Sequence, residues 1–571
     1  MSAACTELCC LLVEDVFGEV CADVVRELLL SGRQSVAGLV QRTPYAPATI
    51  KQALVALTQH GLVLFWEGST ADPQKVCHYE CSEFQVQQIL RYGQFVQIAE
   101  SKWSAGAAVA VDYLLVHGRA TVGDVVEAVA SENVKGSAGG LGNGVHEQDA
   151  YEVVSHILKD RILLMVHAHQ LHPKSDLRAS AIATELFKQR SEVKSSVAKM
   201  NKANGAGLSR ELEAEALDGL ELKLEPLNES PGPKRKRRKI ENADETEVVR
   251  VHEASIVRLN FARCLTAIRN EAVVKLVEER VATDTAKMYR HILDSHEARV
   301  YGTKPLERIT FTAVDAARTL PPDLDLKETF AARVVNGWNH GDSEGSIAMP
   351  NGVNTYAGEV SNSVRQVSRQ LNRLADEAVS FVQKFGEKGG GEYCIDYVEL
   401  RNQLRLLHFQ KLVSQRYGDR ATRLLRIVME KKKIEEKQLA AIALMRQRDI
   451  RADLMALHDG GILELQEVPR SADRAPSRTT FLWTFSGERA IPHLLKDIYM
   501  AMTRVLQRCD VERSAHGTVI DRLESMGSRK EPEQALNSGE KRELTRLKRY
   551  EETLQIQLWK LDTSALIFGE F

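Results

Sequence analysis

Residues 464–485 read ELQEVPRSADRAPSRTTFLWTF. Ile462, Leu463 and Leu465 lead to Val468, a polar loop carrying Arg470, Arg474 and Arg478 follows, and Phe481-Leu482-Trp483-Thr484-Phe485 closes the stretch. Two apolar runs bracketing polar turn residues predict a strand, a long basic loop and a second strand. A helical pattern lies just upstream, from Gln438 to His458. Helix, helix, strand, loop, strand is the order of a winged-helix module. Such a module binds nucleic acid or another protein and carries no chemistry of its own.

The same plan is legible at the other end of the chain. Val20, Val24, Val25, Leu28 and Leu29 fall at helical spacing, Gly32 stops that helix, and Ser35 is placed to cap the next, Val36–Gln41. Pro47 stands near a helix start, Thr49–His60 puts Ile50, Leu54 and Leu57 on one face, and Leu62–Trp66 reads as a strand. From Leu28 to Trp66 there are Arg33, Arg42 and Lys51 but no acidic residue. Lys51, Gln52 and Gln59 are expected on the outer face of a recognition-type helix. A second copy spans about Phe95–His172, where GRATVGDVVEAVAS (118–131) echoes GRQSVAGLVQRT (32–43). This copy is net acidic and is expected to bind protein.

Residues 175–247 read as a linker, disordered in part, because low hydrophobicity and blocky charge cannot build a core. Within it Lys234, Arg235, Lys236, Arg237, Arg238 and Lys239 form an uninterrupted basic run, the pattern of a nuclear localisation signal. The bland alternative is a solvated charge block. A third module follows, with helices over Leu259–Val281 and Asp284–Glu297, a short helix stopped by Pro321-Pro322, a helix over Val360–Phe385, and a strand at 392–397. Beyond residue 490, Leu494, Leu495, Ile498, Met502, Val505 and Leu506 make one apolar stripe; Leu544, Leu547, Leu554, Leu558 and Leu561 make a return stripe at near-heptad spacing.

The resulting expectation is a mainly α chain with small β-hairpins. It holds four tandem, extended winged-helix modules and a C-terminal antiparallel coiled-coil hairpin. The boundaries are 1–94, 95–174, the linker 175–247, 248–397 with a mobile insertion at 333–360, 398–489, and the hairpin 490–571.

Composition limits the functions available. A net charge of −2 over 571 residues excludes nucleic-acid affinity of the whole chain, so any DNA contact must come from local patches. The most basic structured stretch, Arg401–Lys433, has ten Lys/Arg against Asp419 and Glu430. Arg416, Arg420 and Arg423 lie at i, i+4 and i+7, one helix face that could track phosphates or dock on an acidic partner. The loop arginines Arg470, Arg474 and Arg478 could enter a minor groove or grip protein, and Glu464, Glu467 and Asp473 nearby tilt the balance toward protein. Nine scattered cysteines point to a reducing compartment. No signal peptide is expected, and no membrane segment, since no stretch reaches roughly 18 uninterrupted apolar residues.

Metal and catalytic motifs are weak. CHYEC (77–81) has no second cysteine pair at ligand spacing, HAHQLH (167–172) has no carboxylate or cysteine partner and reads as surface histidines, and GGLGNG (139–144) lacks the Gly-Lys-Ser/Thr ending of a phosphate loop. No cofactor, metal or small-molecule substrate is expected, and the chain reads as a non-enzyme.

TFTAVDAARTLPPDLDLKETF (310–330), LVALTQHGLVLF (54–65) and EVPRSADRAPSRTTFLW (467–483) closely resemble segments of the winged-helix subunit family of RNA polymerase III. That subunit is the largest member of the polymerase-specific heterotrimer and is similar in role to the alpha subunit of transcription factor E. The resemblance runs in order along most of the chain, apart from 132–148 and 175–247. It implies a nuclear, non-catalytic subunit on the polymerase clamp, with the polymerase core, two smaller heterotrimer subunits and promoter DNA as partners. It also implies a part in initiation and promoter opening at transfer-RNA and small ribosomal RNA genes, with Glu467–Arg478 facing the cleft. The rival reading is a freestanding winged-helix DNA-binding regulator. That rival calls for a strongly basic recognition helix and a symmetric dimerisation element.

Overall fold

The structure is a computed structural model. It describes residues 3–67, 76–136, 143–173, 175–177, 179, 225–226, 249–250, 253–297, 308–321, 355–377, 379–469, 479–525 and 536–569. The described chain is mostly helical, with small antiparallel sheets, three-stranded in all but one case. It divides into two compact units, Met1–Ala267 with Leu506–Ala515, and Ile268–Val505 with His516–Phe571. No described helix is long and apolar enough to cross a membrane.

In the first unit, helices Ala3–Phe17 and Glu19–Ser31 pack together through Leu8, Val13, Val24, Val25 and Leu28, all buried. Ser35 caps Val36–Arg42 by accepting from the Gly38 amide, and Pro47 opens the recognition helix Pro47–Gln59. Ile50, Leu54 and Leu57 of that helix are buried, at the spacing that predicts them. The hairpin Val63–Glu67 and Cys77–Cys81 completes the module, with the short strand Gln34–Ser35 pairing on Cys77–Cys81.

The second module differs from its expected outline in one respect. Its central strand is Ile256–Leu259, which pairs with Arg119–Thr121 on one side and Leu163–Met165 on the other. Residues 256–259, grouped with the third module on sequence, therefore supply the middle of the second sheet. Strand pairing is non-local, and a four-residue strand carries too little pattern to name its partners. HAHQLH also differs from a surface reading at its last residue. His172 Nδ1 lies 2.8 Å from the Phe65 carbonyl, and the ring stands edge-on to Phe65 and Trp66.

In the second unit, strands Arg308–Thr312, Glu392–Asp396 and Gln383–Gly386 form a sheet with Glu392–Asp396 in the centre. The expected helix in 309–330 is thus preceded by a strand. Thr312 and Asp315 then form a reciprocal capping box on Ala313–Thr319. The expected helix Val360–Phe385 is Thr355–Asp376, and residues 383–386 are strand.

Asp396 caps the next helix, Tyr397–Lys431, accepting from the Val398 and Glu399 amides at 3.0 and 3.1 Å and pairing with Arg308 at 2.9 Å. These contacts, first the Glu399 amide, hold its carboxyl below the usual carboxylate range. D396A is expected to cost about 1 kcal/mol at neutral pH. A depressed carboxyl stabilises above its ordinary value and loses that contribution as pH falls through the folded one. The gap in Tm between D396A and the parent should therefore close below about pH 4. A gap that persists in acid would count against this assignment.

The fourth module repeats the first. Ile50, Leu54 and Leu57 recur as buried Ile450, Leu454 and Leu457 on Gln447–Asp459, and Gly61 (φ +73°) recurs as Gly461 (φ +69°) in the turn before the strand. Strands Leu463–Pro469 and Thr479–Phe485 pair in register from Leu463 opposite Phe485 to Pro469 opposite Thr479.

A continuous coiled-coil hairpin over 490–571 is not confirmed. Three helices occupy the described residues of this region, Gly487–Ala515, Gly517–Ser525 and Ser538–Gly569. Val519, Leu523, Leu536 and Leu544 cluster where the second meets the third. The far end of the last helix packs instead on the long helix, where Arg405 Nε donates to the Ile567 carbonyl at 3.0 Å and Phe568 meets Phe409. Leu554, Leu558 and Leu561 are only half-buried. Heptad spacing alone does not say which helix covers a stripe.

Candidate functional site

The recognition helices are the natural contact elements, and the structure sorts their polar residues. Lys51 and Gln52 are exposed on Pro47–Gln59, and Lys51 has no ion-pair partner among the described residues. Gln59 is not available. Its Nε2 donates to the carbonyls of Arg119 at 2.8 Å and His117 at 3.3 Å, so the second module occupies it. The acid-free stretch around this helix is also neutralised in space. Arg33 pairs with Glu80 at 2.7 Å and Asp176 at 2.6 Å, and Arg42 lies 3.8 Å from Glu27. The Asp176 contact raises the Arg33 guanidinium further above its ordinary value.

Arg416, Arg420 and Arg423 do not form one helical face. The helix Tyr397–Lys431 breaks at Gly418, whose φ of +86° and ψ of 169° are far from helical. Arg416 ends one segment, while Arg420 and Arg423 lie in the next. Arg416 Nη1 reaches Asp497 at 2.9 Å, an ion pair that raises its guanidinium, and the group lies over the Tyr417 ring. Arg420 reaches Asp453 on the recognition helix at 3.3 Å. Both are surface braces between helices, each worth at most about 1 kcal/mol. Arg423 is exposed and has no ion pair among the described residues.

Arg470, Arg474 and Arg478 lie outside the described residues, as do Lys234, Arg235, Lys236, Arg237, Arg238 and Lys239, residues 139–142 of the Gly-rich run, and most of the insertion 333–360. The hairpin carrying the loop arginines is described as far as Pro469 and Thr479, the pair that brackets them. Glu464, counted on sequence against their charge, is 2.7 Å from Arg489 and so is engaged elsewhere.

Two further cations were missed on sequence. Arg446 and Arg448 stand at the start of the recognition helix Gln447–Asp459, exposed and without an ion-pair partner among the described residues. The signal was present, because Arg451 on the same helix occupies the place of Lys51 in the repeated core. Arg451 itself is tied to Glu436 at 2.7 Å. Met455 and Leu444 are exposed beside these cations, so the surface is mixed, basic and apolar. Mixed surfaces of this kind suit protein as well as phosphate.

No three His, Cys, Asp or Glu side chains among the described residues are placed to hold a metal ion. The nine cysteines are free thiols. Burial pushes Cys10 up to about 11 and Cys264 up to about 12, whereas a hydrogen bond with Cys9 lowers the Cys5 thiol.

Comparison with known proteins finds matches along the length of the chain. The family model of RNA polymerase III subunit RPC82 matches residues 154–404, and the helix-turn-helix domain of the same subunit matches 7–68. The C-terminal winged-helix domain of POLR3C matches 409–485. DNA-directed RNA polymerase III subunit RPC3 of Yarrowia lipolytica is 28% identical, over 100% of this chain and 98% of its own. The subunit RPC-3 of Coccidioides immitis is 25% identical over 100% of both chains, and rpc3 of Emericella nidulans 25% over 99% of both. The models succeed one another in chain order, two of them describe a single subunit, and the relatives align from end to end. The chain belongs to the RPC82 family of RNA polymerase III subunits.

Proposed function

We propose that the chain is a non-catalytic subunit of RNA polymerase III. On this reading it works in the nucleus as the largest member of a polymerase-specific heterotrimer on the clamp. There it supports initiation and promoter opening at transfer-RNA and small ribosomal RNA genes. Its direct partners are the polymerase core and two smaller subunits, and its DNA contacts are local. The observation that carries this is the end-to-end alignment with relatives named as subunits of that polymerase. Repeated winged-helix cores with mixed, partly neutralised surfaces support a scaffold rather than a freestanding reader of DNA. The first recognition helix offers only Lys51 as an exposed strong base.

Affinity purification of the tagged full chain from a nuclear extract tests the assembly. Recovery of the polymerase III core with two small subunits in near-equal amount is expected. Recovery of the chain alone, or with unrelated chromatin proteins, would put the freestanding regulator in its place.

The basic loop of the fourth module is the proposed cleft contact. Reversal of Arg470, Arg474 and Arg478 to glutamate is expected to slow promoter opening by roughly tenfold at low salt, with assembly intact. Permanganate footprinting of the opened strand would measure it, and unchanged opening by an assembled variant would refute the assignment.

A further inference from the structure

The outer face of the second module's sheet carries a like-charge pair. Arg119 on an edge strand and Arg258 on the central strand are direct cross-strand partners, and Leu164 stands opposite Arg258 on the third strand. Strand Ile256–Leu259 alternates, with Val257 and Leu259 in the core and Ile256 and Arg258 on the outer side. Like charges directly opposite one another destabilise a sheet. Two guanidiniums on one rung are therefore a cost to the fold unless something neutralises them.

Nothing among the described residues does. Neither arginine forms an ion pair with a described residue. Arg258 uses its Nε on Gln170 Oε1 at 2.8 Å, and Gln170 is itself pinned by donating Nε2 to the Met165 carbonyl. That leaves the Nη groups of Arg258 without a described partner. Burial pushes Arg258 down to about 10, with the neighbouring Arg119 adding to the effect, and burial also lowers Arg119. The turn of the first module forms a wall, since a Cβ at Gly61 would sit 3.9 Å from Arg119 Nη2. His60 in that turn is also near, because Arg119 and His117 add to the burial that lowers its imidazole.

A fixed, half-desolvated pair of cations with no counter-charge among the described residues is built for an anion. We propose that Arg119 and Arg258 form a receptor for the carboxylates of an acidic peptide segment on a partner protein. A guanidinium fork meets a carboxylate in two parallel hydrogen bonds, and partial burial strengthens each. The surroundings decide between peptide and nucleic acid. Binding to a phosphate backbone uses a strip of basic side chains along successive phosphates. Here the exposed neighbour in the adjacent outward position of the same strand is Ile256, which is apolar. Alternating acidic and apolar side chains fit that pattern.

The test uses the purified full chain and a fluorescein-labelled peptide of alternating glutamate and leucine, read by fluorescence anisotropy. The parent should bind it. The R119Q/R258Q double variant should bind at least roughly tenfold more weakly, and R119K/R258K should fall between, since lysine keeps charge but not the fork. The glutamine variant should also melt at or above the parent's Tm, because the cross-strand repulsion is gone. Unchanged affinity in that variant, or no binding by the parent, would overturn the proposal. So would a Tm several degrees lower, which would make the arginines supports of the sheet. Displacement of the peptide by short duplex DNA at equal anion concentration would reassign the site to phosphate. The assay needs no polymerase, so its failure is distinguishable from failure of the subunit reading.

Discussion

Trp483→Ala is expected to destabilise the fourth module by about 3–5 kcal/mol, the usual cost of removing a large core aromatic. Trp483 is buried and sits on the middle strand of its sheet, opposite Ile434 on one side and Leu465 on the other. His458 from the recognition helix meets its ring edge-on at 6.1 Å. One side chain thus joins both neighbouring strands and the helix that presents Arg448. A loss of this size is comparable with the whole stability of a small domain. Hydrogen exchange over 433–485 in the full chain measures it directly. Protection there should fall by two or more orders of magnitude, while protection in Pro47–Gln59 stays as it was. Undiminished protection in 433–485 would show that the sheet is held by something other than this residue.

The second large effect is expected at Gly118. A Cβ added there would lie 2.6 Å from the Gln59 carbonyl oxygen, 2.9 Å from the Gln59 carbonyl carbon and 2.9 Å from His60 Cα. All three are backbone atoms at the end of the first recognition helix, so no side-chain rotation relieves the contact. The φ of +74° adds the strain that a β-branched residue suffers in the left-handed region. G118V should therefore cost about 2–4 kcal/mol and loosen the packing of the first module on the second. The control is Q59A, which removes only the two side-chain hydrogen bonds to this turn, worth about 1 kcal/mol each. Faster exchange in Arg119–Thr121 and at the end of Pro47–Gln59 should be far larger in G118V than in Q59A. Equal effects would mean that the hydrogen bonds, not the close backbone approach, hold the modules together.

Much of the candidate site was hidden by charge pairing between distant residues. Arg416 and Arg420 read as free cations until Asp497 and Asp453, 81 and 33 positions away, come into reach. Gly418 was in plain view between them, yet a single glycine inside a helical pattern is compatible with both a continuous helix and a break. Arg119 and Arg258 are 139 positions apart and acquire meaning only as one rung of a sheet. Arg446 and Arg448, by contrast, were readable, since they stand at the start of a helix inside the predicted helical stretch Gln438–His458.

Local chemistry determined what the sequence by itself determines here. Apolar residues at helical spacing place Ile50, Leu54 and Leu57 in a core and do the same for Ile450, Leu454 and Leu457. Ser35, Pro47, Gly61 and Gly461 mark where helices start and chains turn, because capping and left-handed backbone are properties of one or two residues. The tertiary structure alone decided that Ile256–Leu259 crosses a long intervening segment to become the central strand of the second sheet. It alone decided that the last helix ends on Tyr397–Lys431, and that two arginines face each other with no ion pair to a carboxylate among the described residues. The reason is physical: spacing fixes which face of an element is apolar, but which surface covers that face depends on every other surface competing to do so.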